Sequence, residues 1–143
     1  MKTKIQLIFG FWLMLSGFFS CEYEQPGIPN VSVSISINLN DPQYYELQTT
    51  GSFVYITGGV NGIIVYRKSQ NEFLCYERTC PHDPECGKIY VDEDVFFAED
   101  TVCCGSVFSL DIDGAVVSGE SKFPLRMYSS TYSENLNRLN ISN

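Results

Sequence analysis

The chain has 143 residues, 44% of them hydrophobic, with nine basic against 17 acidic residues and a formal net charge of −8. That length suits one domain with its own core. The acidic balance argues against nucleic acid and against anionic lipid headgroups as partners, because both repel it.

Lys2 and Lys4 precede an apolar run from Ile5 to Phe19. The run is shorter than the ~20 apolar residues of a membrane span and fits the h-region of a signal peptide over residues 1–20. It ends in Phe18-Phe19-Ser20-Cys21. A small residue followed by Cys resembles a lipoprotein cleavage box, which implies that Cys21 becomes the acylated first residue. Residues 21–30, with Pro26, Gly27 and Pro29, read as a polar tether. Glu22 and Glu24 are similar to the acidic tags of lipoproteins carried to the outer membrane or cell surface. Membrane attachment is therefore expected through lipid on Cys21, and the location in the cell envelope: outer membrane, cell surface or periplasm. Lys2 and Lys4 leave with the leader, so the mature domain is more acidic still.

From residue 31 onward the pattern is β. Val31, Val33, Ile35, Ile37 and Leu39 alternate with polar residues, the period of a half-buried strand. Asp41-Pro42 stops it, and Tyr44 to Leu47 fits a helical turn or a short strand. Phe53–Thr57, Ile63–Tyr66 and Phe73–Tyr76 are β-branched and aromatic runs, the first two separated by Gly58-Gly59-Val60-Asn61-Gly62. Further strands are expected at Lys88–Val91, Val95–Ala98, Val107–Leu110, Ala115–Val117, Arg126–Ser130 and Leu136–Ile141. Short strands at this spacing predict an all-β, antiparallel sandwich or barrel over residues 31–143.

Six cysteines remain after residue 20: 21, 75, 80, 86, 103 and 104. In an exported protein the default state is disulfide. Four of them fall in two loops, Cys80-Pro81-His82-Asp83-Pro84-Glu85-Cys86 and Thr101-Val102-Cys103-Cys104-Gly105-Ser106, an arrangement that also describes a metal site. Cys75 lies within a strand and reads as a small buried apolar residue.

Cys80-Pro81-His82 resembles the first box of the Rieske family, Cys-x-His. The second box of that family is Cys-x-x-His-Gly-Ser; alignment on Gly105-Ser106 puts Thr101 and Cys104 at the ligand positions, with 18 residues between His82 and Thr101. Phe108, Gly114, Gly119, Pro124, Leu125 and Tyr128 are similar to the family's tail, so the resemblance runs from about residue 52 to the end. It extends in particular to surface lipoproteins of gram-negative gut bacteria that share a Cys-Cys-Gly-Ser second box. The resemblance implies a Rieske-like β domain with the two cysteine loops side by side at one end. Its ligand positions are Cys80, His82, Thr101 and Cys104.

A Rieske cluster needs two thiolates on one iron and two imidazoles on the other. This chain has one His, and a Thr hydroxyl is a poor ligand for a soft Fe–S core. The resemblance therefore implies a module that has lost its cluster. Cys86 and Cys103 resemble the disulfide that clamps the two loops in respiratory Rieske proteins. Neighbouring side chains of an extended stretch point to opposite sides, which leaves Cys80 as the expected partner of Cys104 in a second disulfide. The function expected is a non-catalytic accessory or binding module without a cofactor. Two alternatives stay open at this level. One is a [2Fe–2S] electron carrier using Cys80, His82, Cys103 and Cys104. The other is a structural zinc site built from Cys80, His82 or Cys86, and Cys103 or Cys104. A hydrolase or nucleotide-binding enzyme has no support, since there is no Gly-rich phosphate loop and one His with scattered Ser makes no triad.

Overall fold

A computed structural model describes residues 27–93 and 97–143. The expected leader, the acylated Cys21 and the first part of the tether lie outside these residues. Among the described residues, ten antiparallel strands form two sheets. β1 (Ser34–Asn38), β2 (Phe53–Ile56), β3 (Ile63–Arg67), β4 (Phe73–Glu77), β9 (Met127–Ser133) and β10 (Arg138–Ser142) make a six-stranded sheet in the order β1-β10-β9-β4-β3-β2. β5 (Tyr90–Val91), β6 (Phe97–Glu99), β7 (Val107–Ser109) and β8 (Ala115–Ser118) make a four-stranded sheet in that order. The fold is all-β, as the sequence pattern predicts. The only helical pieces among the described residues are 3-10 segments at Pro42–Gln48 and Glu134–Leu136. None is long and apolar enough to cross a membrane.

The apolar runs of β3 and β4 have a specific cause. Side chains alternate between the two faces of a strand. Ile63, Val65, Phe73 and Cys75 enter one core with Leu139 and Ile141. Their neighbours Ile64, Tyr66, Leu74 and Tyr76 enter a second core with Phe108 of the small sheet and Leu110 just beyond β7. A strand buried on both faces has no polar side to show, so it reads as a continuous run. β1 has one buried face, and its alternation is correspondingly clean: Ile37 is buried while Ser34 and Ser36 are exposed.

Several expected boundaries shift by a few residues, and two of the shifts have a specific cause. The first strand begins at Ser34 rather than Val31, because the Val33 N–H is taken by the Asn143 side chain, 2.9 Å away, instead of by a strand. The last strand begins at Arg138 because Leu136 lies in a 3-10 turn closed by Asn137 in the left-handed region, φ 45°.

One carboxylate ties the larger sheet together. Glu77, at the end of β4, is fully buried. Its Oε2 accepts the Val60 N–H at 2.8 Å and the Tyr128 hydroxyl at 2.6 Å. Its Oε1 accepts the Asn61 and Thr79 N–H groups, both at 3.0 Å, and the Thr79 hydroxyl at 2.8 Å. Burial alone pushes the carboxyl pKa up, but these donors outweigh it and hold it below the ordinary Glu value. Gly59 (φ 62°) sits against this carboxylate, where a Cβ would collide with Glu77 Oε2 and the Tyr128 hydroxyl.

The strand register also places the two cysteine loops. Tyr90, which follows the first loop, pairs with Glu99, and Glu99 pairs with Val107 across the second loop. The end of β6 thus lies between the exit of one loop and the exit of the other, so both leave the small sheet at the same end.

Candidate functional site

The first loop, residues 80–86, departs from the Glu77–Thr79 anchor. Thr79 is fully buried and bridges to Lys88, which pinches the base of the loop. Cys80 continues inward and is fully buried against the second core. The backbone N–H groups of His82 and Asp83 both point at its sulfur. The chain then turns, with Cys86 N–H donating to the Asp83 carbonyl at 3.2 Å.

The second loop is organised by Asp100, also fully buried. Its Oδ1 accepts the N–H groups of Val102 at 3.1 Å and Cys103 at 3.0 Å, an aspartate turning the backbone with its own side chain. Its backbone N–H donates to the Ser106 carbonyl at 2.9 Å, closing the loop. Asp100 Oδ2 lies 3.2 Å from Cys104 Sγ. The Ser106 hydroxyl, 3.1 Å from the same sulfur, accepts the Ser121 N–H at 2.9 Å and so ties the loop to the tail. Close approach of that tail requires Gly119 (φ 99°), because a Cβ there would run into the Ser106 backbone.

Cys86 and Cys103 form a disulfide with their Cα atoms 6.3 Å apart. Cys80 and Cys104 meet on the other side of the second loop, as alternation of neighbouring side chains predicts. Their expected disulfide, however, is not formed. The two sulfurs are 3.5 Å apart and both residues are free thiols. The physical reason lies in competing partners: Cys104 is drawn to Asp100 Oδ2 and Ser106 Oγ, and Cys80 to the loop N–H groups. Burial pushes the Cys80 thiol up to about 12; the Asp83 and His82 N–H groups pull it down, while Asp100 and Cys104 push it further up. It is a protonated thiol near neutral pH and no ready nucleophile. For Asp100, burial raises the pKa, but bonds from Cys80, the Cys103 N–H, Cys104 and the Val102 N–H bring it below the ordinary aspartate value.

The other two ligand positions implied by the Rieske resemblance do not join. His82 is exposed, with Nε2 3.4 Å from Glu120 Oε2. Thr101 is exposed on the outer side of the second loop. The residues present do not fit a [2Fe–2S] centre of this kind: one imidazole faces a surface carboxylate, and the second is missing from the chain. Cys103 is consumed by the disulfide, which removes it from the alternative iron set. Cys86 and Cys103 leave the expected zinc set for the same reason. Cys75 is fully buried in β4, and burial lifts its thiol to about 12.

Asp100 is the site residue that sequence reasoning missed. Its only local signal is an acid two residues before a backbone N–H in a turn, a signal shared by several acids of this chain. Compared with models of known protein families and with curated proteins, the chain matches neither.

Proposed function

We propose that this chain is a lipid-anchored, Rieske-like module of the cell envelope that has lost its iron–sulfur cluster and acts as a non-catalytic accessory or binding protein. The observation that carries the reading is the dispersal of the ligand positions. Cys80 and Cys104 are in contact, His82 turns to Glu120, and Thr101 faces solvent. The Cys86–Cys103 bond supports the likeness to the clamp of respiratory Rieske proteins. Loops that a cluster would otherwise hold are secured here by that disulfide, by the Asp100 turn and by the Ser106–Ser121 bond. Attachment to the membrane runs through acyl chains on Cys21, since an acidic domain gains nothing from anionic headgroups.

Two measurements test the reading. Anaerobically purified protein is expected to be colourless and to lack stoichiometric iron and sulfide; a brown protein with two irons per chain overturns the reading in favour of an electron carrier. Mass spectrometry of the mature N-terminus is expected to show acylated Cys21, and Cys21→Ser to release the protein from membranes. An unmodified Cys at that position removes the anchor from the proposal.

A further inference from the structure

Among the described residues, Cys80 Sγ, Cys104 Sγ and a carboxylate oxygen of Asp100 lie within 4.8 Å of one another. We propose that these three side chains bind one Zn²⁺ ion, with the fourth coordination position open to water. The inference goes beyond the accessory-module reading but rests on its cluster-free state, because a cluster would claim the same sulfurs.

The geometry is close to that of an occupied site. Zinc–sulfur bonds of about 2.3 Å and a zinc–oxygen bond of about 2.0 Å at tetrahedral angles put the sulfurs about 3.8 Å apart and each sulfur about 3.5 Å from the oxygen. The observed separations are 3.5 Å between sulfurs and 3.2 Å from Cys104 Sγ to Asp100 Oδ2. An ion therefore needs these two pairs to part by about 0.3 Å each, and the third pair, Cys80 with Asp100, lies within 4.8 Å. Two thiolates with one carboxylate suit a borderline ion. Cu(I) selects soft donors throughout, and Mg²⁺ or Ca²⁺ selects oxygen. Zinc displaces the two thiol protons, which pass to solvent.

The surroundings are those of a held site. Asp100 is fully buried, and among the described residues no Lys or Arg forms an ion pair with it. Unlike Glu77, whose oxygens meet only N–H and O–H donors, Asp100 also faces two thiols, which can give up their protons to a metal. Each donor has its own support: the His82 and Asp83 N–H groups at the Cys80 sulfur, the Val102 and Cys103 N–H groups at Asp100, and the Ser106 hydroxyl at Cys104. Such partners orient ligands and raise affinity. The Cys86–Cys103 disulfide fixes the separation of the two loops before any ion arrives. Cys104 is partly exposed, which provides the entry path and the water position.

The test uses the whole chain with the Cys86–Cys103 disulfide intact and Cys80 and Cys104 as thiols, stripped of metal and then titrated with Zn²⁺ alone. One zinc per chain is expected, with Cys80 and Cys104 protected from alkylation by the ion. Co²⁺ in its place is expected to give thiolate-to-cobalt charge-transfer absorption, which Cys104→Ser diminishes in a chain that still melts cooperatively. Asp100→Asn keeps an oxygen to accept the Val102 and Cys103 N–H groups but loses the anionic ligand, and is expected to weaken zinc binding at least tenfold. Substoichiometric zinc, or thiols alkylated equally fast with and without it, overturns the proposal. Zinc binding by Asp100→Asn as tight as in the parent overturns it as well, and so does a chain whose Cys80 and Cys104 are isolated as a disulfide that zinc with reductant does not displace. Stoichiometric iron and sulfide overturn the cluster-free reading and this site with it; failure to bind zinc in an iron-free protein overturns this site alone.

Discussion

Replacing Glu77 with Gln changes one atom of a fully buried side chain and leaves its volume intact, so its effect isolates the carboxylate. Five donors converge on the two oxygens. A Gln amide nitrogen at the Oε2 position faces the Val60 N–H, which cannot turn away; at the Oε1 position it faces the Asn61 and Thr79 N–H groups. In either orientation at least one buried backbone N–H loses its acceptor, at a cost of about 1–3 kcal/mol. The remaining bonds lose their charge assistance, worth about 1 kcal/mol more, partly offset because a neutral amide is less costly to bury. The expected loss is about 3 kcal/mol near neutral pH, read from urea unfolding at constant slope with the disulfide intact. The pH dependence gives a second readout. The folded carboxyl lies below its ordinary value of 4.5, so its contribution is full above that pH and is lost as pH falls through the folded value. The parent and Glu77→Gln stabilities are therefore expected to converge in acid. A loss under about 1 kcal/mol at neutral pH, or a difference that does not shrink in acid, would falsify the assignment of Glu77 as the ionised tie between β4, β9 and the 58–62 loop.

Cys86→Ser removes a cross-link over a separation of 17 residues, for which loop-closure entropy predicts a loss of about 3 kcal/mol; Cys103→Ser is expected to match it, and the double variant to be no worse than either single, in thermal or chemical melts. Gly119→Ala forces a left-handed backbone and a clash with the Ser106 backbone, so a loss of about 2 kcal/mol is expected, together with faster alkylation of Cys104 as the second loop loosens. Cys75, with its thiol lifted to about 12 by burial, is expected to resist alkylation in the native state at pH 8 and to react only on unfolding; native-state labelling of Cys75 at the rate of Cys104 would contradict its place in the core.

The strands were legible where burial pattern and chain direction alone decide them. Ile63–Tyr66 of β3 and Phe73–Tyr76 of β4 are unbroken apolar runs because each serves two cores, and their shortness between turns marks them as strands. Their assignment to particular cores was not legible, since it depends on which sheet covers each face. At the site, the alternation of Cys103 and Cys104 was readable from the chain, and the Cys86–Cys103 pair from the family likeness. The state of Cys80 and Cys104 was not, because it turns on Asp100 and Ser106, whose approach is set by Gly119 and the tail. His82 illustrates the same limit: its ring direction follows from Glu120, a residue 38 positions away, and nothing in Cys-Pro-His encodes it.

The pairing of β1 with β10, Ser34 opposite Ser142 and Asn38 opposite Arg138, makes the first strand of the larger sheet depend on its last. β1 is an edge strand whose one neighbour is β10. A chain cut before Arg138 therefore forfeits two strands, leaving β9 as a bare edge able to recruit another chain. That edge stays open until residues 138–142 have paired with β9 and β1, so closure of this sheet is a long-range event, and its rate is governed by the meeting of distant segments rather than by local hairpins. Proteolysis near residues 134–138 thus becomes a point of aggregation risk, even though it lies outside the cysteine loops.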